Sequence, residues 1–179
     1  GNDQVQFLIA RVALERNDPD AAINGFNKIR AINPSSPYLR EAVYYLGIAH
    51  AMKNEYIQAV ELLNRYASSP GVEKRYDALV RLLELYIGAS DVKSAERTAQ
   101  TLQSAYTRQA GVEVVLYNFA LELGRRGGNN TRYLQFIVGN YPRSESAGRI
   151  LFSWAGESFK AGDFIRAEQF YRQYLSVPG

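Results

Sequence analysis

Few side chains in this sequence could make or break bonds, and their spacing limits what they could do. There is a single histidine, His50, and no cysteine. Those counts exclude thiolate or multi-histidine metal sites, disulfides and a cysteine nucleophile. Two carboxylate pairs, Glu113 with Glu122 and Asp77 with Glu84, lie at helical spacings. Nothing beside them suggests a desolvated acid working with a base, so surface salt bridging is the simpler reading. The most unusual segment is Gly124-Arg125-Arg126-Gly127-Gly128-Asn129-Asn130-Thr131-Arg132. Its glycines and three arginines could form an anion-binding loop, because converging N–H groups and fixed charge both attract anions. The competing and preferred reading is a lengthened turn. The segment lacks the Gly-Lys-Ser/Thr ending of a phosphate loop and follows no strand, so nucleotide binding has no support. Asn129-Asn130-Thr131 also fits a glycosylation acceptor. With no cluster offering nucleophile, base and orienting group together, the expectation is a non-enzymatic protein without cofactor or metal.

The elements that must carry these residues come from an ordinary soluble composition. Of 179 residues, 46% are hydrophobic and 22% charged, and 21 Lys and Arg against 18 Asp and Glu leave a net charge of +3. That composition excludes disorder and collagen-like structure. The basic residues are scattered rather than striped, so nucleic acid is not expected as a partner. No apolar run approaches the roughly 18 residues of a membrane span. The opening Gly1-Asn2-Asp3-Gln4 suggests a trimmed start within a longer chain, which leaves any targeting segment open.

Prolines supply a ruler. Pro34, Pro70, Pro142 and Pro178 fall on one lattice of 36 residues, and the vacant mark holds Tyr106. Five units follow, at about 3–36, 37–72, 73–108, 109–143 and 144–179, forming one domain. Within them apolar residues step by three and four, as at Ala42, Val43, Leu46, Ala49 and His50, which is one face of an α-helix. Helix pairs are expected at about 4–16 and 19–32, 37–53 and 55–68, 73–88 and 91–107, 111–125 and 130–140, and 144–160 and 163–176. Asp18 before Pro19, Ser36 before Pro37, and Ser144 read as N-caps. Ala22, Ala59, Ala95 and Ala167 mark points where paired helices cross closely.

These residues resemble the tetratricopeptide repeat, a helix–turn–helix unit. The second unit matches as Val43, Leu46-Gly47, His50, Ala59, Leu63, Tyr66 and Pro70, with His50 as a packing residue where the family prefers Tyr. The last matches as Leu151, Trp154-Ala155, Phe159, Gly162-Asp163-Phe164, Ala167, Tyr171, Tyr174 and Pro178. In the opening unit Ile9-Ala10, Ala13, Ala22, Phe26, Ile29 and Pro34 fit, while the third and fourth units are degenerate. The resemblance implies an all-α, right-handed α-solenoid. The linkers Asn33-Pro34-Ser35-Ser36 and Asn140-Tyr141-Pro142-Arg143-Ser144 are similar in style to the bacterial cell-envelope branch, which includes outer-membrane assembly lipoproteins and periplasmic coordinators. A periplasmic or outer-membrane-anchored location is implied, with the cytoplasm as alternative.

By the same resemblance, the first helix of each unit lines a concave groove. Partner-binding positions there are Phe7, Arg11, Tyr44, Ile48, Met52, Glu84, Tyr117, Arg125, Arg149, Phe152 and Phe159, with Val80, Ile87 and Leu121 beside them. The implied function is a scaffold that holds a protein or peptide segment, since aromatic and Arg side chains are the usual anchors of such interfaces. The Lys/Asn/Arg clamp of chaperone-binding members is absent, its positions being Ile48, Glu84 and Arg81. Glycan or cell-wall binding through exposed aromatics, and assembly through lateral surfaces, are the alternatives. Phe164, Phe170, Tyr171 and Tyr174 leave the last helix apolar on its outer side, so the expectation is that the native chain continues or that this end packs on another copy, as self-association, or on another domain.

Overall fold

The computed structural model describes residues 1–178. Among them are ten α-helices and no strand: α1 (Asn2–Glu15), α2 (Pro19–Ile32), α3 (Leu39–Met52), α4 (Tyr56–Ser68), α5 (Arg75–Gly88), α6 (Val92–Ala105), α7 (Val112–Arg125), α8 (Thr131–Asn140), α9 (Glu145–Lys160) and α10 (Phe164–Tyr174). The expected helix ends fall within two residues of these throughout. The chain divides into two compact units, residues 1–98 and 99–179, with α6 crossing the boundary. In the first, α1 to α5 pack each on the next; in the second, α7 to α10 do the same. Sequential stacking of helix–turn–helix repeats is the α-solenoid architecture.

One turn recurs in all five repeats. After the first helix of each comes a residue with left-handed backbone: Asn17 (φ 58), Asn54 (φ 58), Ser90 (φ 62), Gly127 (φ 77) and Gly162 (φ 79). The next residue then returns its N–H to a carbonyl five positions back, as in Asp18 to Ala13 (2.8 Å), Glu55 to His50 (3.0 Å), Asp91 to Tyr86 (2.8 Å), Gly128 to Leu123 (2.9 Å) and Asp163 to Ser158 (2.9 Å). This is a Schellman cap, which satisfies carbonyls that the ending helix leaves open. In three repeats the residue after the turn also starts the second helix. Asp18, Asp91 and Asp163 accept from the N–H groups of Ala21, Ser94 and Arg166 at 3.0, 3.1 and 3.1 Å. A single short segment thus ends one helix and begins the next, which fixes the hairpin geometry.

Small residues then let the helices close. Ala22, Ala59 and Ala95 are fully buried and Ala167 nearly so. At Gly47 a Cβ would lie 2.7 Å from Leu63 Cγ, and at Gly25 a Cβ would lie 2.8 Å from that of Ala10. The fourth repeat departs from this pattern. Its turn continues through Gly128-Asn129-Asn130, so Arg132 stands five residues after the left-handed position where the other repeats have alanine. Tyr133 takes the interior place instead, fully buried and edge-on to Phe119 at 4.9 Å.

Ser144 caps α9 as expected, accepting from the N–H of Ala147 at 3.1 Å. Ser36 does not cap α3. The helix begins at Leu39, and buried Ser36 accepts from the N–H of Tyr38 at 3.3 Å, because Ser36-Pro37 is used up in the turn. Pro34, Pro70 and Pro142 each fall two residues beyond a helix end, where a missing N–H costs no helical hydrogen bond.

Candidate interaction surface

The groove positions fall into both units, and each unit presents its own set. In the first, α3 buries Ala42, Gly47 and Ala49 and leaves Tyr44, Ile48 and Met52 partly open, the last 36% exposed. These three are spaced four residues apart, so they form one stripe. Tyr44 is propped against Tyr45 at 5.1 Å and Tyr66 at 5.3 Å. Burial, reinforced by the nearby Asp77 charge, pushes its hydroxyl from an ordinary pKa of 10.0 up to about 12. On α5, Glu84 accepts from Arg81 at 2.7 Å, with both side chains exposed, and half-buried Val80 and Ile87 flank them.

Two first-unit positions are occupied differently. Phe7 is only 4% exposed, enclosed by Phe26, Tyr38 and Tyr45 at ring distances of 5.7, 5.2 and 5.8 Å. It is a core residue and is not open to a partner. An aromatic this large is worth more inside the first hairpin than on its face. Arg11 lays its guanidinium over the Tyr45 ring at 5.0 Å and so closes the edge of the same cluster.

In the second unit, Tyr117 and Leu121 are half-buried on α7. Arg125 and Arg126 both turn back to Glu122, at 3.1 and 2.9 Å, and these arginines hold its carboxyl below the usual range, Arg126 first. Arg132 lies over the Tyr133 ring at 4.5 Å, and the Asn130 side chain donates to the Ala120 carbonyl at 2.9 Å. The arginine-rich segment therefore has its charges engaged locally and its asparagine closing a turn, which is the lengthened-turn reading. Arg149 pairs with Glu145 at 2.6 Å. Phe152 is 55% exposed, leans on Tyr171 and Tyr174 at 5.9 and 5.3 Å, and walls a cleft of about 650 Å³ with Leu175 and Val177. Phe159, 58% exposed, meets Phe164 at 5.3 Å.

Three arrangements have no clear sequence signal. His50 Nδ1 lies 2.5 Å from Glu55 Oε2, while Lys53 reaches both Asp20 (2.8 Å) and Glu55 (2.9 Å). This ionic cluster ties α2 to the α3–α4 turn and shows His50 doing more than packing. Tyrosine hydroxyls pin neighbouring elements: Tyr86 accepts from Asn64 at 2.7 Å, and Tyr141 donates to the Thr107 carbonyl at 2.7 Å. A second cleft, of about 440 Å³, opens between α8, α9 and α10 beside Trp154. Among the described residues no group of His, Asp and Glu is arranged to hold a metal, and no helix is long and apolar enough to cross a membrane.

No protein-family model and no curated protein sequence matches the chain. Solved structures do. A tetratricopeptide repeat protein from Parabacteroides merdae superposes with a TM-score of 0.69 at 14% identity, covering 98% of this chain and 67% of that one. MamA from Desulfovibrio magneticus gives 0.61 at 15% identity, covering 98% and 94%. A kinesin-light-chain protein from Podosopora anserina with nearly identical TPR-like repeats gives 0.59 at 15% identity, covering 97% and 93%. At such identities the likeness establishes the fold. The chain has the tetratricopeptide-repeat fold.

Proposed function

We propose that this chain is a non-enzymatic protein–protein interaction scaffold whose first helices receive a partner segment. The observation that carries the reading is the α3 stripe of Tyr44, Ile48 and Met52, left partly open on a helix whose other side is sealed by Ala42, Gly47 and Ala49. An apolar stripe rimmed by the Arg81–Glu84 pair suits the apolar face of a helix or extended segment laid against it. The fold supports this reading, because hairpins stacked within each unit set first helices beside one another, as α1 beside α3 and α7 beside α9.

Met52→Glu tests it. The side chain lies at the surface, so folding stability should change by no more than about 0.5 kcal/mol. Capture of the native partner by cross-linking in the source cell should fail. A variant that keeps its partner and its stability overturns the groove reading and favours lateral surfaces.

The setting proposed is an assembly in the bacterial envelope, in the periplasm or anchored at the outer membrane. It rests on the linker style of Asn33-Pro34-Ser35-Ser36 and Asn140-Tyr141-Pro142-Arg143-Ser144. Fractionation of the source cell checks it, and recovery in the cytoplasm overturns it.

A further inference from the structure

We infer that the cleft between α8, α9 and α10 binds a small zwitterion, of the size of an amino acid or dipeptide. The cleft measures about 440 Å³, within the range of small-ligand sites. Half-buried Trp154 and Phe170 form one wall, their rings packed on each other at 5.4 Å and inclined by 49°, which presents an apolar face on which a flat or aliphatic body can rest. Gln135 and Ser158 add neutral hydrogen-bonding groups.

Two opposite charges face the same space. Glu157 accepts from the Ser153 hydroxyl at 3.1 Å, and Arg166 rests over the Phe170 ring at 5.7 Å. Neither forms an ion pair among the described residues, with the other or with any third group. Glu122, Glu145 and Glu168 in the same unit each hold an arginine within 3.1 Å. One anion and one cation without an ion-pair partner, beside an aromatic wall, complement a ligand that carries an ammonium, a carboxylate and an apolar body. A neutral sugar would leave both charges without a counter-charge, and a purely anionic or cationic ligand would leave one. The inference is independent of the α3 stripe, so its failure leaves the scaffold reading standing.

The chain has one tryptophan, Trp154, so its intrinsic fluorescence reports on this cleft. The probes are L-phenylalanine, its N-acetyl derivative, its amide, the doubly blocked N-acetyl amide, and cellobiose. L-phenylalanine should give a saturable change in the millimolar range, and each single block should weaken it about threefold, the size of an exposed ion pair. Glu157→Gln should abolish the preference for the free amine while keeping that for the free carboxylate, and Arg166→Gln the reverse. Equal binding of the doubly blocked derivative or of cellobiose overturns the proposal, as does an unchanged spectrum with every probe. Circular dichroism of both variants confirms folding; should either unfold, Glu157→Ala and Arg166→Ala, which remove the same charges, replace them.

Discussion

Two glycines six residues apart should respond to the same change with opposite signs. Gly156 lies inside α9, and a Cβ built on it meets nothing within 4 Å. Alanine there gains helix propensity without a clash, so Gly156→Ala should stabilise the protein by about 1 kcal/mol. Gly162 has equally open surroundings but sits at φ 79, in the Schellman turn before α10. A Cβ in that conformation costs roughly 1–2 kcal/mol, partly offset by about 0.5 kcal/mol from a stiffer unfolded chain. Gly162→Ala should therefore destabilise by about 1 kcal/mol, leaving the two variants about 2 kcal/mol apart. Urea unfolding followed by Trp154 fluorescence reads the second compact unit, which contains both sites. Shifts of the same sign would refute the account of the turn, because the two positions differ in backbone conformation and not in room.

Further expectations follow from particular contacts. Tyr133→Ala, which empties the interior of the fourth repeat, should cost about 3–5 kcal/mol in the same assay. Ser90→Gly relieves a non-glycine left-handed residue and should raise stability by up to about 1 kcal/mol, measured by thermal melting. The Glu55 carboxyl is held below its ordinary value of 4.5, first by Lys53 and then by His50. A depressed carboxyl stabilises the fold above that pH, and the contribution disappears as the pH falls through the lowered value. Urea midpoints taken between about pH 3 and 6 should therefore decline less steeply toward acid in Glu55→Gln than in the unaltered protein.

The helices and their pairing could be read from the sequence because they rest on local rules. A step of three and four, a proline after four of the five second helices, and alanine at four of the five crossings each need only neighbours in the chain. Asp18 and Ser144 act as caps for the same reason. Ser36 misled, because Ser-Pro can open a helix or form a turn, and only the packed backbone shows that Ser36 accepts from Tyr38 within a turn. The left-handed residue that sets every hairpin hides behind three residue types, Asn, Ser and Gly, so no single letter marks it. For the surface the limit was different in kind. Helical spacing places Phe7, Tyr44 and Phe152 on first helices, yet Phe7 is sealed by three rings while Phe152 stands open. Exposure depends on which neighbouring helix covers a face. The pairing of charges likewise depends on reach across space, which left Glu157 and Arg166 without an ion pair among the described residues while drawing Arg125 and Arg126 back onto Glu122. The order of elements was a property of the sequence, whereas the availability of each side chain was decided by tertiary packing, because burial and charge pairing arise between segments that the chain brings together only when folded.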